Sequence, residues 1–207
     1  MTVAKEVLNS VHSKAVFGRR IRVLARHIAS HLEAGSVLDV GCGDGTLAKS
    51  IMEIKPTVQI KGIDVFLRPS VAIPATIYDG VSIPFPDNSV DWVTIVDVLH
   101  HTDDPSIVIA ECARVARRGV VIKDHLRDGF LANQTLRFMD WVGNRGHDVR
   151  LPYNYLSSGD WGLTFRNLGL VTVKANRSLG IYPPPFTYLF DRGLHFVATV
   201  AKRPTRS

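Results

Sequence analysis

The chain is 207 residues long, 45% hydrophobic and 21% charged, with a net charge of +6. That length suits one domain with a core of its own, and the composition excludes disorder, collagen and coiled coil. No apolar run approaches the roughly 18 residues of a membrane span. The first residues mix Lys5, Glu6, Asn9 and His12 among apolar ones and do not read as a secretory signal. Two cysteines, Cys42 and Cys112, make neither a disulfide framework nor a zinc spacing, which fits a reducing cytoplasm. Residues 1–103 hold 10 Lys or Arg against 11 Asp or Glu, whereas residues 104–207 hold 15 against 8. The second half is therefore the candidate face for an anionic partner, although dispersed arginines also serve solubility alone.

Strand-like and helix-like segments alternate along the chain. Ile21, Leu24, Ala25, Ile28 and Leu32 recur at helical spacing within 17–32, and Gly35 ends that helix. A buried strand follows at 36–40, a helix at 46–54, and strands at 58–65, 75–79 and 90–98. Asp104 and Pro105 open a helix that runs to about Arg117, and 120–123 is a fifth strand. A helix over 130–142 carries Phe130, Phe138, Met139 and Trp141. Ser157 or Ser158 caps another that Gly169 stops, and strands at 170–174 and 196–202 complete the count. The succession predicts an α/β fold, a doubly wound seven-strand sheet that is mostly parallel, with the last strand antiparallel.

The chemistry concentrates where the first strand turns into a helix, at Val37-Leu-Asp-Val-Gly-Cys-Gly-Asp-Gly-Thr46. Gly41, Gly43 and Gly45 let the backbone bend tightly and approach a ligand, and the next helix points its free N–H groups at the turn. The spacing is G-x-G-x-G, not the G-x-G-x-x-G of a dinucleotide site. Asp64 closes the second strand 23 residues after Gly41. In such a topology a carboxylate there faces the crevice and can accept both hydroxyls of a ribose.

These residues resemble the class I S-adenosylmethionine-dependent methyltransferases, in particular the broad type 11 group of small-molecule enzymes. Tyr78-Asp79-Gly80 with Ile83-Pro-Phe-Pro-Asp-Asn-Ser-Val-Asp91, Val96-Asp-Val-Leu-His-His101 and Glu111-Cys-Ala-Arg-Val115 are similar to that group's later motifs, in the same order. The resemblance covers about residues 35–125; Arg117-Arg118-Gly119 replaces the usual Pro-Gly-Gly at a surface turn. It implies a Rossmann-like methyltransferase fold with S-adenosyl-L-methionine as cofactor. Asp39, Gly41, Cys42 and Gly43 would line the methionine end, and Asp64 would hold the ribose. Val65 or Phe66 would pack on the adenine, Asp79 would accept from its amino group, and Gly80 and Val81 would offer backbone contacts. Val96 and Asp97 would lie beside the methionine moiety. Asp44, Asp87 and Asp91 read as helix-start and turn residues, and Glu111 with Arg114 as a structural pair.

Methyl transfer needs a base only where the acceptor must lose a proton. His100, His101 and His125 fall at strand ends facing the crevice, and His101 and His125 are the candidate bases, against a role in helix entry and packing. No metal is expected. The single domain would carry an N-terminal helical cap (1–34) and two substrate-cover inserts (128–155 and 179–193). Phe130, Phe138, Met139 and Trp141 form an apolar wall or pack on the sheet. Arg127, Arg137 or Arg150 would meet any anionic group. The expected acceptor is a small apolar or aromatic molecule, and the chain a monomer or homodimer. DNA is not expected, nor is RNA, since no Asn-Pro-Pro-aromatic stretch follows the fourth strand and the positive charge is diffuse. RNA methylation and a non-catalytic cofactor-binding partner subunit remain the alternatives.

Overall fold

The computed structural model describes residues 3–144 and 152–203, with the backbone alone for 3–16 and 143–144. Arg150, with the rest of 145–151, lies outside the described residues. Helix α1 (Val3–His31) leads into β1 (Gly35–Val40), α2 (Thr46–Ile54), β2 (Val58–Asp64), β3 (Ala75–Ile77) and β4 (Val90–Val96). A short 3₁₀ turn (Leu99–His101) precedes α3 (Pro105–Val115) and β5 (Ala116–His125). Then come α4 (Ala132–Asn144), α5 (Ser158–Asn167), β6 (Leu170–Asn176), the single-turn α6 (Thr187–Phe190) and β7 (His195–Lys202). No described helix is long and apolar enough to cross a membrane.

The seven strands lie in the order β3-β2-β1-β4-β5-β7-β6. All neighbours from β3 to β5 pair in parallel, and β7 runs antiparallel to both β5 and β6. This is the sheet that the alternating pattern predicts. The central parallel strands are buried on both faces, so β4 and the second half of β5 are near-continuous buried runs, whereas β2, nearer the edge, exposes Gln59 and Lys61. Neighbours alternate between two cores accordingly: Leu38, Val40, Val93 and Ile95 pack with Ile109 of α3 and Trp161 and Phe165 of α5. Val37, Ile60, Val121 and Val197 pack with Leu24 and Ile28 of α1 and Ile51 of α2.

Several boundaries differ from the sequence expectation. The helix that starts at Pro105, capped by the Asp104 side chain accepting from the Ser106 N–H, stops at Val115 and not at Arg117. Ala116 is already paired with Val90, and Arg117 turns aside to Asp91 at 2.7 Å. Strand β5 is thereby ten residues long and carries Lys123, Asp124 and His125 to its end. The capping box of Ser157 and Asp160 fixes the start of α5.

Helix α4 is turned otherwise than its aromatic residues suggest. Ala132 and Leu136 are buried, whereas Phe130 is 83% exposed and Phe138 and Trp141 about half exposed. The expected apolar wall faces outward, and the third position of the inward stripe, one turn beyond Leu136, is Asp140.

Candidate functional site

The cofactor and base candidates read from the sequence lie at or near the C-terminal ends of the parallel strands β1 to β5. On one side is the turn after β1. Gly41 is in left-handed conformation (φ 73°), and a Cβ there would sit 2.4 Å from Val98 Cγ2. Gly43 is left-handed too (φ 58°), but a Cβ there would meet nothing within 4 Å, so the turn opens onto free space. The Gly43 N–H donates to Asp64 Oδ2 at 2.8 Å, and the Phe66 N–H to Asp64 Oδ1 at 3.1 Å. Two backbone donors thus aim this half-buried carboxylate, and each oxygen keeps a second lone pair for a ligand. Asp79 is set in the same manner by the N–H groups of Val81 and Ser82, which hold its pKa below the usual carboxylate range. Val65, Phe66 and Val81 are more than half exposed, an apolar rim beside the two acids.

Cys42 is buried, its thiol pushed up to about 12 by burial and by the neighbouring Asp39 and Asp64. It packs against Gly62, where a Cβ would sit 2.4 Å from its sulfur. Asp39 lies beneath the turn and accepts from Thr94 Oγ1 at 2.7 Å; burial raises its pKa to about 6. Asp44 accepts from the Thr46 N–H, and Glu111 and Arg114 pair at 2.7 Å, as their spacing predicts.

Across the edge, at the ends of β4, β5 and β7, lies an ionic cluster. Asp97, half-buried and in left-handed conformation (φ 55°), pairs with Lys123 Nζ and, at 2.5 Å, with Arg20 Nη2 of α1. Burial works against its ionisation, but Lys123 and Arg20 hold its pKa well below the usual range. Asp124 is fully buried. Its carboxylate receives the N–H groups of Leu99 and His125, and lies 2.7 Å from His100 Nδ1 and 3.2 Å from His125 Nδ1. His100 Nε2 lies 3.5 Å from Asp140 Oδ2, which also accepts from the Tyr155 hydroxyl. Burial would lower the His100 pKa, yet Asp124 and Asp140 together push it up to about 10. His101 and His125 are instead held below the ordinary value, first by burial, then by charge on His100 and Lys123 respectively.

Both candidate histidines therefore belong to this cluster, with His125 buried and His101 partly exposed. Val96 lies half-buried at the same strand end, beside Asp97. The cationic residues expected to meet an anion are placed otherwise: Arg127 pairs with Asp160, and Arg137 lies over the Tyr153 ring. The sequence reading misses Arg20, Asp140, Tyr155 and His195. His195, on β7, stands 4.9 Å from the His125 ring, and Tyr182 stands 6.0 Å from His195. For Asp140 a signal exists, since a carboxylate in register with Ala132 and Leu136 sits on a buried stripe.

The reversed β7 between β5 and β6 sets this sheet apart from that of a nicotinamide-binding domain, and the glycine turn and Asp64 lie together at its carboxyl edge. The fold is that of the Rossmann-like methyltransferases. More closely, residues 38–122 match the family described as "Methyltransferase domain", of type 11. A ubiquinone biosynthesis O-methyltransferase of Hahella chejuensis is 38% identical over 95 residues, 40% of this chain and 39% of that protein. The chain thus spans well under half of that relative. An uncharacterized protein of Methanocaldococcus jannaschii is 27% identical over 81% of this chain and 78% of its own. Among solved structures, a chain in the complex of a Haloferax volcanii methyltransferase activator with a methyltransferase superposes with TM-score 0.67 at 18% identity, covering 94% of both chains. A Thermotoga maritima SAM-dependent methyltransferase does so with TM-score 0.63 at 16% identity, covering 98% of this chain and all of that one.

Proposed function

We propose that this chain transfers a methyl group to a small acceptor with an apolar or aromatic body, and that the acceptor loses a proton to His125 as it reacts. The observation that carries the reading is one shared edge. The open turn at Gly43 with the oriented Asp64 lies on one side of β4, and a histidine oriented by a buried carboxylate lies on the other.

S-adenosylmethionine supplies an electrophilic methyl group when bound. Asp64 would hold its ribose hydroxyls, and Val65 or Phe66 and Val81 would cover its adenine, with Asp79 and Gly80 at the ring edge. Asp39, Gly41, Cys42 and Gly43 would border its methionine end, with Val96 and Asp97 opposite. The proton step belongs to this chain. Asp124 accepts from Nδ1–H of His125, which leaves the lone pair on Nε2, and Nε2 stands 3.8 Å from Asp97 Oδ1. A carboxylate that fixes the tautomer and stabilises the imidazolium is the arrangement a general base needs. His101 is the second candidate.

The cap and inserts support the same reading. Helix α1 brings Arg20 into the cluster, Asn154 ties 128–155 to the carbonyls of His100, Thr102 and Asp103, and Arg19 and His27 bind 179–180. We propose residues 1–34, 128–155 and 179–193 as the cover over a single domain, with Tyr153, Tyr155 and Tyr182 as its aromatic lining. The ubiquinone relative's name makes phenolic acceptors the first to try.

Calorimetric titration with S-adenosylhomocysteine tests the cofactor half. Wild type should bind, Asp64→Ala should bind about ten- to hundredfold more weakly, and NAD should give no heat. With an acceptor found, His125→Ala should cut kcat at least tenfold and leave the S-adenosylhomocysteine affinity in place. Absence of binding to wild type would end the proposal.

A further inference from the structure

We propose that His100, His101 and Asp140 form a binding site for one divalent transition-metal ion. Their ligand atoms all lie within 4.8 Å of one another. The local backbone explains why. In an extended strand two successive histidines would point to opposite faces, but β4 has ended and the 3₁₀ turn Leu99–His101 brings the two rings to 4.1 Å. The carboxylate arrives from α4, on the stripe that Ala132 and Leu136 bury.

Three features distinguish this cluster from an ordinary ion pair. His100 Nε2 and Asp140 Oδ2 stand 3.5 Å apart, long for a charge-assisted hydrogen bond. Two ligands each about 2.1 Å from one ion stand about 3–3.5 Å apart. Secondly, His100 Nδ1 is held by Asp124 at 2.7 Å and Asp140 by the Tyr155 hydroxyl. Outer hydrogen bonds of that kind fix a ligand's tautomer and aim at a metal centre. Thirdly, His101 Nδ1 is buried and has no hydrogen-bond partner, a polar atom left without compensation in the metal-free chain.

Two imidazoles and one carboxylate select zinc, manganese or ferrous iron over magnesium and calcium, which take oxygen ligands. Entry of the ion would displace the proton from His100 Nε2. Three protein ligands leave coordination positions open, and we assign one to an oxygen of the methyl acceptor. That assignment rests on the methyl-transfer reading, while the metal site stands without it.

The test is titration of the chelator-stripped full chain with Zn²⁺ by calorimetry, beside Asp140→Asn and His101→Gln. Wild type should take up one ion, and each variant should bind at least tenfold more weakly with its circular dichroism and S-adenosylhomocysteine affinity unchanged. X-ray absorption of the zinc-loaded wild type provides a measurement that needs no variant, and should show nitrogen and oxygen neighbours without sulfur. No uptake by wild type, uptake undiminished in both variants, or a sulfur neighbour would each overturn the site. Absence of S-adenosylhomocysteine binding alone, with zinc uptake intact, would overturn the methyl-transfer reading and leave the metal site standing.

Discussion

Lys123, with none of its side chain exposed, spends its charge on Asp97, which stands one strand away and takes Arg20 on its other oxygen. The backbone repeats the pairing, since the Asp97 N–H donates to the Lys123 carbonyl at 2.9 Å. Burial lowers the Lys123 pKa, and Asp97 is what opposes it. Removing the carboxylate strips a buried ammonium and a guanidinium of their common partner, so Asp97→Ala should destabilise the fold by about 3–5 kcal/mol. Lys123→Met keeps the Arg20 pair and should cost less. Urea midpoints of the two variants check the order, and equal effects would mean that Arg20 contributes nothing to Asp97.

The two left-handed glycines should separate folding from binding. An alanine at either position bears the roughly 1–2 kcal/mol of a left-handed L-residue. At Gly41 its Cβ also runs into Val98, so Gly41→Ala should lose further stability as the loop shifts. At Gly43 the new methyl meets open space, and Gly43→Ala should fold with only the conformational cost. Its S-adenosylhomocysteine affinity should nonetheless fall, by about tenfold or more, because the methyl fills the space beside Asp64. Thermal melts and calorimetry on both variants would show the divergence, and an unchanged Gly43→Ala affinity would move the cofactor away from this turn.

How far the sequence discloses the site follows from the range of the interactions. The glycine turn, Asp64, Asp79 and the apolar strands are local patterns, each written in fewer than a dozen neighbouring residues, and the structure places them where the pattern says. The ionic cluster is different: Arg20, Asp97, Lys123, Asp140, Tyr155 and His195 come from four elements and two loops, and no periodicity links them. Helix α4 shows the cost. Its many aromatic residues suggest an inward face, whereas burial follows the sparser stripe of Ala132 and Leu136 because Asp140 finds Tyr155 and His100 there. A strong polar contact has overridden apolar content in orienting that helix.

Arg114 pins the segment that follows Asp79. It donates to the carbonyls of Ile83 and Phe85 and to Asp87 and Glu111, while Glu111 accepts the Ile83 N–H. Arg114→Ala leaves these acceptors to water and should cost about 1–3 kcal/mol. It should also increase hydrogen exchange at Ile83 and Phe85 without altering that of β5. Exchange that rises equally across the sheet would make Arg114 a global prop and not a local one.

Two buried groups titrate in opposite senses and give the stability a pH dependence that variants can take apart. His31 is 6% exposed, with Nδ1 2.8 Å from Thr199 Oγ1 and Nε2 without a partner. Burial first, then Lys174 and His27, lowers its pKa from 6.5 to about 4. Between these values the unfolded chain binds the proton and the folded one does not, so this contribution is complete above about pH 6.5 and fades as pH falls towards 4. Asp39 runs the other way. Its folded pKa of about 6 exceeds the ordinary 3.8, so the folded chain holds the extra proton in that window, and stability declines as pH rises through it. The wild-type curve over pH 4–6 is the sum of both and is not diagnostic alone. The stability difference between wild type and His31→Leu should increase with pH from about 4 to 6.5, while that between wild type and Asp39→Asn should decrease from about 4 to 6. Urea titrations at half-unit pH steps measure both, and a flat difference for either variant would mean that its group keeps the same pKa folded and unfolded.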